Sequence, residues 1–302
     1  MKRLTTVMPC CGSGPLVEEA LEYLDKNSDR SLTEFIIFDN GSEPPLPLYK
    51  ADRIIRVPEN IGGNYHVHRV LPEIHTEFIA YIHDDLMVLE KDWDKRVLAA
   101  FDADPLLGLI GFVGSNQMDS AGGRGYGTSL NYQGGEYRTG WASTAEVHGR
   151  RFYGFEPAAN LDNVVMIFRR SVLEQVPPCE GNYGPGHYYD RACCLEVISR
   201  GFRVGMMGVA CDHFSGGIGL GKVEGRPQGL YDRDKLYMKW LTERGLNTDV
   251  PSLDMAVHEA SAQIFLKKWS HFLPLQVDPH WNYSHRLTYT FNDYRHEDKP
   301  NV

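Results

Sequence analysis

Short apolar runs bounded by turn residues recur along the first hundred positions, and segments with apolar residues three and four apart lie between them. Residues 4–8 read as a buried strand that ends in the turn Pro9-Cys10-Cys11-Gly12-Ser13-Gly14. Pro15 then opens a helix with Leu16, Ala20, Leu21 and Leu24 on one face, since proline suits a first turn whose N–H groups have no helical partner. Residues 34–38, 53–57 and 78–82 are three more strands. The turn at 60–63 leads into a helix carrying Val67, Val70 and Leu71, and another helix spans 91–101. Further on, the pattern predicts a strand over 164–168, a helix start at 170–176, and a helix over 188–200 that Gly201 closes. A strand over 202–210, a helix with Leu236, Tyr237, Trp240 and Leu241, and a helix over 256–269 complete the regular elements.

Strands alternating with helices through short links predict an α/β fold with a mixed, mostly parallel sheet flanked by helices. Such sheets bind ligands at the carboxyl ends of their strands, and Asp39, Asp84 and Asp85 all fall at such ends. Two stretches break the pattern. Residues 114–157 are rich in Gly, Tyr, Ser and Asn, too long for an ordinary connection and suited to an acceptor contact or a crossover. Residues 215–229 combine glycines with Lys222 and Arg226, the composition of a lid over a diphosphate or of a surface loop. The tail holds Trp281, Tyr283, His285, Tyr289 and Tyr294, aromatics suited to packing or a contact between copies.

Composition narrows the class. The chain has 302 residues, 42% hydrophobic and 24% charged, enough to bury a core without staples. A net charge of −9 argues against coating nucleic acid through the overall field. Six cysteines match no zinc spacing and suggest no oxidising compartment, and no apolar run approaches the ~18 residues of a membrane helix. The expected location is cytoplasmic.

The chemistry concentrates at His83-Asp84-Asp85. Two carboxylates at the end of an apolar strand are costly unless a cation shares them, and oxygen donors suit Mg²⁺ or Mn²⁺ bridging to a diphosphate. The same pair also fits a solvated turn with one helix-capping Asp. Around it stand Val7-Met8-Pro9-Cys10, Phe38-Asp39-Asn40-Gly41-Ser42, Glu59-Asn60-Ile61-Gly62-Gly63-Asn64 and Met166-Ile167-Phe168-Arg169-Arg170-Ser171-Val172. Tyr189-Asp190, then Arg200-Gly201-Phe202-Arg203-Val204, then His213-Phe214-Ser215-Gly216-Gly217 follow in order. Over roughly residues 4 to 241 the sequence resembles the GT-A glycosyltransferases, in particular glycosyltransferase family 2.

That resemblance implies a Rossmann-like GT-A catalytic domain over 1–245, with a nucleotide-binding half at 1–113 and an acceptor-binding half at 114–245. A helical, aromatic-rich extension follows at 246–302. It implies an inverting transfer of sugar from a nucleotide-diphosphate donor, a UDP-sugar first among them, to an acceptor hydroxyl. Asp85, Asp84 and His213 are the implied metal ligands and Asp190 the implied general base. Asp39, Pro9, Asn64, Asp84, Lys222 and Arg226 are the implied donor contacts, Asp39 at the base or ribose. His187, just ahead of Asp190, is a candidate acceptor contact. Three departures stand out: Asn40 where the family commonly has Asp, His83 at the first metal-motif position, and Tyr189 in place of an acidic neighbour of Asp190. The acceptor class stays open among glycan, small molecule, protein and modified nucleobase, and a homo-oligomer through the extension is compatible. Two other readings remain: a sugar-nucleotide nucleotidyltransferase, against which the uncharged Gly-containing turn after the first strand weighs, and a non-catalytic nucleotide-sugar-binding domain.

Overall fold

The computed structural model describes residues 1–12, 15–62, 66–123, 129–130, 154–178, 183–213 and 233–287. Asn64, Lys222 and Arg226, the candidate lid at 215–229 and most of the 114–157 stretch lie outside them.

The first half supplies strands Leu4–Cys10 (β1), Thr33–Asn40 (β2), Arg53–Val57 (β3), Phe78–Ile82 (β4) and Leu86–Val88 (β5). Leu107–Gly111 (β6), Val113–Ser115 (β7), Gln117–Met118 (β8) and Ser129–Leu130 (β9) come next. Then follow Phe155–Pro157 (β10), Asn160–Leu161 (β11), Val165–Arg169 (β12), Arg203–Met207 (β13) and Cys211–His213 (β14). Leu275–Val277 (β15) and Tyr283–Ser284 (β16) close the described chain.

Eight of these form the main sheet in the order β10-β13-β6-β12-β4-β1-β2-β3. β1 runs parallel to β2 and β4, β2 to β3, and β6 to β13, while β12 is antiparallel to both its neighbours and β10 to β13. The strands β1, β2, β3, β4, β6 and β13 therefore point one way, and their carboxyl ends share an edge. This is the mixed, mostly parallel sheet that the alternation predicts.

Alternate side chains of β1 and β2 feed opposite faces: Leu4, Met8, Phe35 and Ile37 on one, Val7, Ile36 and Phe38 on the other. Helices Pro15–Asn27 (α1), His66–Val70 (α2), Trp93–Ala103 (α3), Arg170–Leu173 (α4), Tyr189–Ser199 (α5), Arg233–Glu243 (α6) and Leu253–Trp269 (α7) cover the sheet. Val17, Ala20, Leu21 and Leu24 of α1 and Trp93, Val97 and Phe101 of α3 pack on the first face. Val67 and Val70 of α2, Val172 and Leu173 of α4, and much of α5 pack on the second.

Several local differences from the sequence pattern have clear causes. β1 continues through Pro9 to Cys10 because its pairing with β2 runs on to Cys10 opposite Asp39, whereas pairing with β4 stops at Val7 opposite Tyr81. A proline is tolerated there, where one side of the strand has no ladder to satisfy. The expected strand over 202–210 is cut to β13; the backbone N–H groups of Leu89 and Glu90 both donate to Ala210 O, which draws the chain off the sheet toward β5. β6 is absent from the sequence reading because Gly108 and Gly111 disguise it. A Cβ at Gly111 would stand 2.9 Å from Leu161 Cδ2, so only glycine lets the neighbours close.

The segment after residue 246 is woven into the core. Ser252 caps α7 by accepting a hydrogen bond from Met255 N (3.3 Å), so this helix starts before the predicted 256. Phe265 and Trp269 of α7 lie buried with α5 and the sheet, and Leu275 of β15 pairs with Met118 of β8. Glu196 of α5 is buried and bridged by Arg200 and by Lys268 of α7. Phe265→Ala is expected to lower the unfolding free energy by about 3–5 kcal/mol in urea denaturation, the cost of emptying a filled aromatic site. The exposed Met255→Ala on the same helix serves as the near-neutral control.

Candidate active site

Where β4 ends, the chain turns sharply: the His83 N–H donates to Val164 O (3.1 Å) and the Leu86 N–H to His83 O (3.4 Å). The turn delivers His83 and Asp85 to the carboxyl edge of the sheet. β5 then pairs antiparallel with β14, with His213 opposite Leu86 and Cys211 opposite Val88. That short ribbon places the imidazole of His213 next to the carboxylate one residue before its partner.

The result is a three-residue cluster. His83 Nδ1 stands 3.6 Å and His213 Nε2 3.3 Å from the same oxygen, Asp85 Oδ1. The three potential ligand atoms lie within 4.8 Å of one another. Asp85 is buried, and its Oδ1 receives no well-formed hydrogen bond. A buried carboxylate oxygen left in that condition is costly unless a cation takes its lone pairs. Burial would raise the Asp85 carboxyl, yet the facing imidazoles of His213 and His83 hold it far below the usual carboxylate range. Burial likewise pulls the His83 imidazole down, but Asp85, Asp162 and Asp84 outweigh it and raise the net value. The donor set therefore fits a divalent ion: one anionic oxygen and two imidazole nitrogens converge on a small volume. Imidazole donors tilt the choice from Mg²⁺ toward Mn²⁺ or another transition ion.

His83, Asp85 and His213 form the convergent group, and the Asp84 charge acts on His83 beside it. The signal was present in His83 itself, which stands directly at the strand end.

Asp39, the candidate base or ribose contact, is buried and accepts from its own loop: the Ser42 N–H donates to Oδ1 (2.9 Å) and the Leu46 N–H to Oδ2 (3.3 Å), with Arg56 at 3.7 Å. Asn40 beside it clamps the next turn, its amide donating to Asn60 Oδ1 (3.0 Å) while the Ile61 N–H donates to Asn40 Oδ1 (2.9 Å). Gly41 between them adopts φ +76°, and a Cβ there would lie 2.4 Å from Asn60 N. Pro9 sits at the end of β1 opposite Phe38, part of the same edge.

Asp190 lies in the first turn of α5, buried, with Oδ1 accepting from the Arg191 N–H (2.8 Å). Its neighbour Tyr189 is buried, and burial together with the Asp190 charge pushes the phenol well above its ordinary value, so it stays protonated. The Asn163 amide hydrogen-bonds the Tyr189 oxygen, and the Asp162 charge reaches both Tyr189 and His83. Asp162 and Asn163, absent from the sequence reading, thus link the metal-type cluster electrostatically to the start of α5. Nothing in their local pattern marks them, since they acquire meaning only when β11 and β12 are folded against β7 and β4.

The sheet order and the cluster at the end of β4 are those of a GT-A type fold. The sequence profile of the Glycosyltransferase like family matches residues 64–214, half of the chain, and the chain belongs to that family. No curated protein sequence matches it. Among solved structures it is similar to GalNAc-T7 with UDP, GalNAc and Mn²⁺ (TM-score 0.52, 9% identity, 91% of this chain and 58% of that chain). It is also similar to the mannosyltransferase PcManGT from Pyrobaculum calidifontis in complex with GDP-Man and Mn²⁺ (TM-score 0.48, 15% identity, 89% and 71%). S. aureus TarS gives a TM-score of 0.45 at 13% identity, over 89% of this chain and 52% of that one. At these identities the likeness is one of fold, and the chain spans little more than half the length of TarS and GalNAc-T7. Among the described residues no helix is long and apolar enough to cross a membrane.

Isothermal titration with Mn²⁺ and Mg²⁺ tests the ligand set. Asp85→Ala and His213→Ala are expected to abolish Mn²⁺ binding, Asp84→Ala to retain it, and Mn²⁺ to bind wild type more tightly than Mg²⁺. Loss in Asp84→Ala equal to that in Asp85→Ala would restore Asp84 to the ligand set.

Proposed function

We propose that this chain transfers a sugar from a nucleotide-diphosphate donor to an acceptor hydroxyl with inversion at the anomeric carbon. The observation that carries the reading is the buried Asp85 oxygen faced by two imidazoles at the carboxyl end of β4, in a chain of this family. His83, Asp85 and His213 would hold a divalent ion, which would supply charge neutralisation for a departing diphosphate. The UDP and Mn²⁺ named with GalNAc-T7 support that reading.

Asp190 is the general base in this reading. It takes the proton of the acceptor hydroxyl as that oxygen attacks the anomeric carbon from the side opposite the nucleotide, so a single displacement inverts the centre. It lies in the first turn of α5, at the helix end whose free N–H groups face it. The protonated Tyr189 offers no competing base. Residues 1–113 carry the donor side and residues 114–245 the acceptor side, with Asn64, Lys222 and Arg226 assigned to the donor diphosphate.

A thermal-shift series with UDP, GDP, CDP, dTDP and ADP, each with and without Mn²⁺, tests the donor. One diphosphate is expected to raise the melting temperature only when the metal is present, and no shift with any of them would overturn the reading. Asp190→Asn is expected to keep that shift while turnover of the matching nucleotide sugar falls ~10²-fold or more. Unchanged turnover would remove Asp190 as the base.

A further inference from the structure

One acidic side chain outside the convergent group is anchored against it and has no part in the chemistry above. Asp162 lies in the short link from β11 to β12, where the chain passes from the small sheet to the main one. Before the link, Asn160 pairs with Ser115 and Leu161 with Gly114 of β7. A Cβ at Gly114 would stand 2.4 Å from Asn160 O, so glycine is what lets β11 lie this close. After the link, Val165 pairs with Ile82, the last residue of β4. The link therefore passes the strand end from which His83 and Asp85 are delivered.

Hydrogen bonds hold the link along its length. The Asp162 N–H donates to Val113 O (2.9 Å), and the Val164 N–H donates to Asp162 Oδ1 (3.1 Å), closing an Asx-type turn. Val164 O in turn accepts from the His83 N–H (3.1 Å). The residue that grips the Asp162 carboxylate thus also grips the backbone of His83. Between them, the Asn163 amide bonds the oxygen of the buried Tyr189 at the start of α5.

The charge of this fixed carboxylate reaches the cluster. Asp162 acts on the His83 imidazole more strongly than Asp84, the next residue in the chain. Two neutral imidazoles and one carboxylate would leave a divalent ion with an uncompensated positive charge. Asp85 is buried, and a net charge in such surroundings is costly. A second carboxylate nearby offsets that cost, and Asp162 supplies one from outside the group whose ligand atoms converge.

We propose that Asp162 is a positioning residue of this centre: its fixed carboxylate raises the affinity of His83, Asp85 and His213 for a divalent ion without coordinating it. This role rests on the reading of that group as a metal centre.

Asp162→Asn separates charge from architecture, because its amide oxygen still accepts from the Val164 N–H while the negative charge is gone. Asp162→Ala removes both. Isothermal titration of the full chain with Mn²⁺ is expected to give an affinity about tenfold weaker in Asp162→Asn than in wild type, and at least as weak in Asp162→Ala. The metal-free melting temperature of Asp162→Asn is expected to match wild type. Full affinity in Asp162→Asn beside a loss in Asp162→Ala would reduce Asp162 to a turn residue and overturn the proposal. Complete loss in Asp162→Asn, as in Asp85→Ala, would overturn it by making Asp162 a ligand. A wild type that binds no Mn²⁺ sinks the metal reading and this role with it, whereas wild-type binding kept in full by both variants sinks this role alone.

Discussion

A carboxylate taken out of water at the end of a buried strand is the constraint on which the active edge depends. Asp85 has its negative charge, a buried oxygen and two imidazoles for company. Removing such a charge from solvent is unfavourable unless opposite charge faces it. The fold meets this by bringing His83 along the turn after β4 and His213 along β14, the antiparallel partner of β5. Such a donor set fits an ion that accepts both nitrogen and oxygen ligands.

From that point the rest of the architecture reads as support. The parallel strands bring β1, β2, β4 and β13 to one edge, so the loops that follow them crowd together. Asp39 and Asn40 spend their polar atoms on those loops, giving the Ser42 and Ile61 backbone a fixed course. The small residue at Gly41 lets two loops touch. α7 and β15, although last in sequence, pack into the second face of the sheet and hold the loop before α5. The C-terminal segment therefore fixes the loop leading into α5 as well as contributing to stability.

Much of this was legible along the chain. The strands at 53–57 and 78–82 coincide with β3 and β4 because uninterrupted β-branched and aromatic runs leave little choice of element. Gly201, with φ +83°, stops the helix as a C-terminal glycine does. β6 was not legible: its two glycines carry no side-chain pattern, and they are there because neighbouring side chains fill the space a Cβ would take.

By itself the sequence determined the α/β class, the placing of Asp85 at a strand end, the order of the family's motifs and the membership they imply, because these rest on periodicity and on local chemistry. Only the tertiary structure decided that His83 converges on Asp85 with His213, and that Asp39 accepts hydrogen bonds from its own loop. It alone brought Asp162 and Asn163 between the cluster and α5, and paired His187 with Asp254 across 67 positions of chain. The physical reason is the same in each case. A side chain's partner is set by the direction it faces and by what the sheet and helices bring opposite it, and neither is encoded within a few residues of the side chain itself.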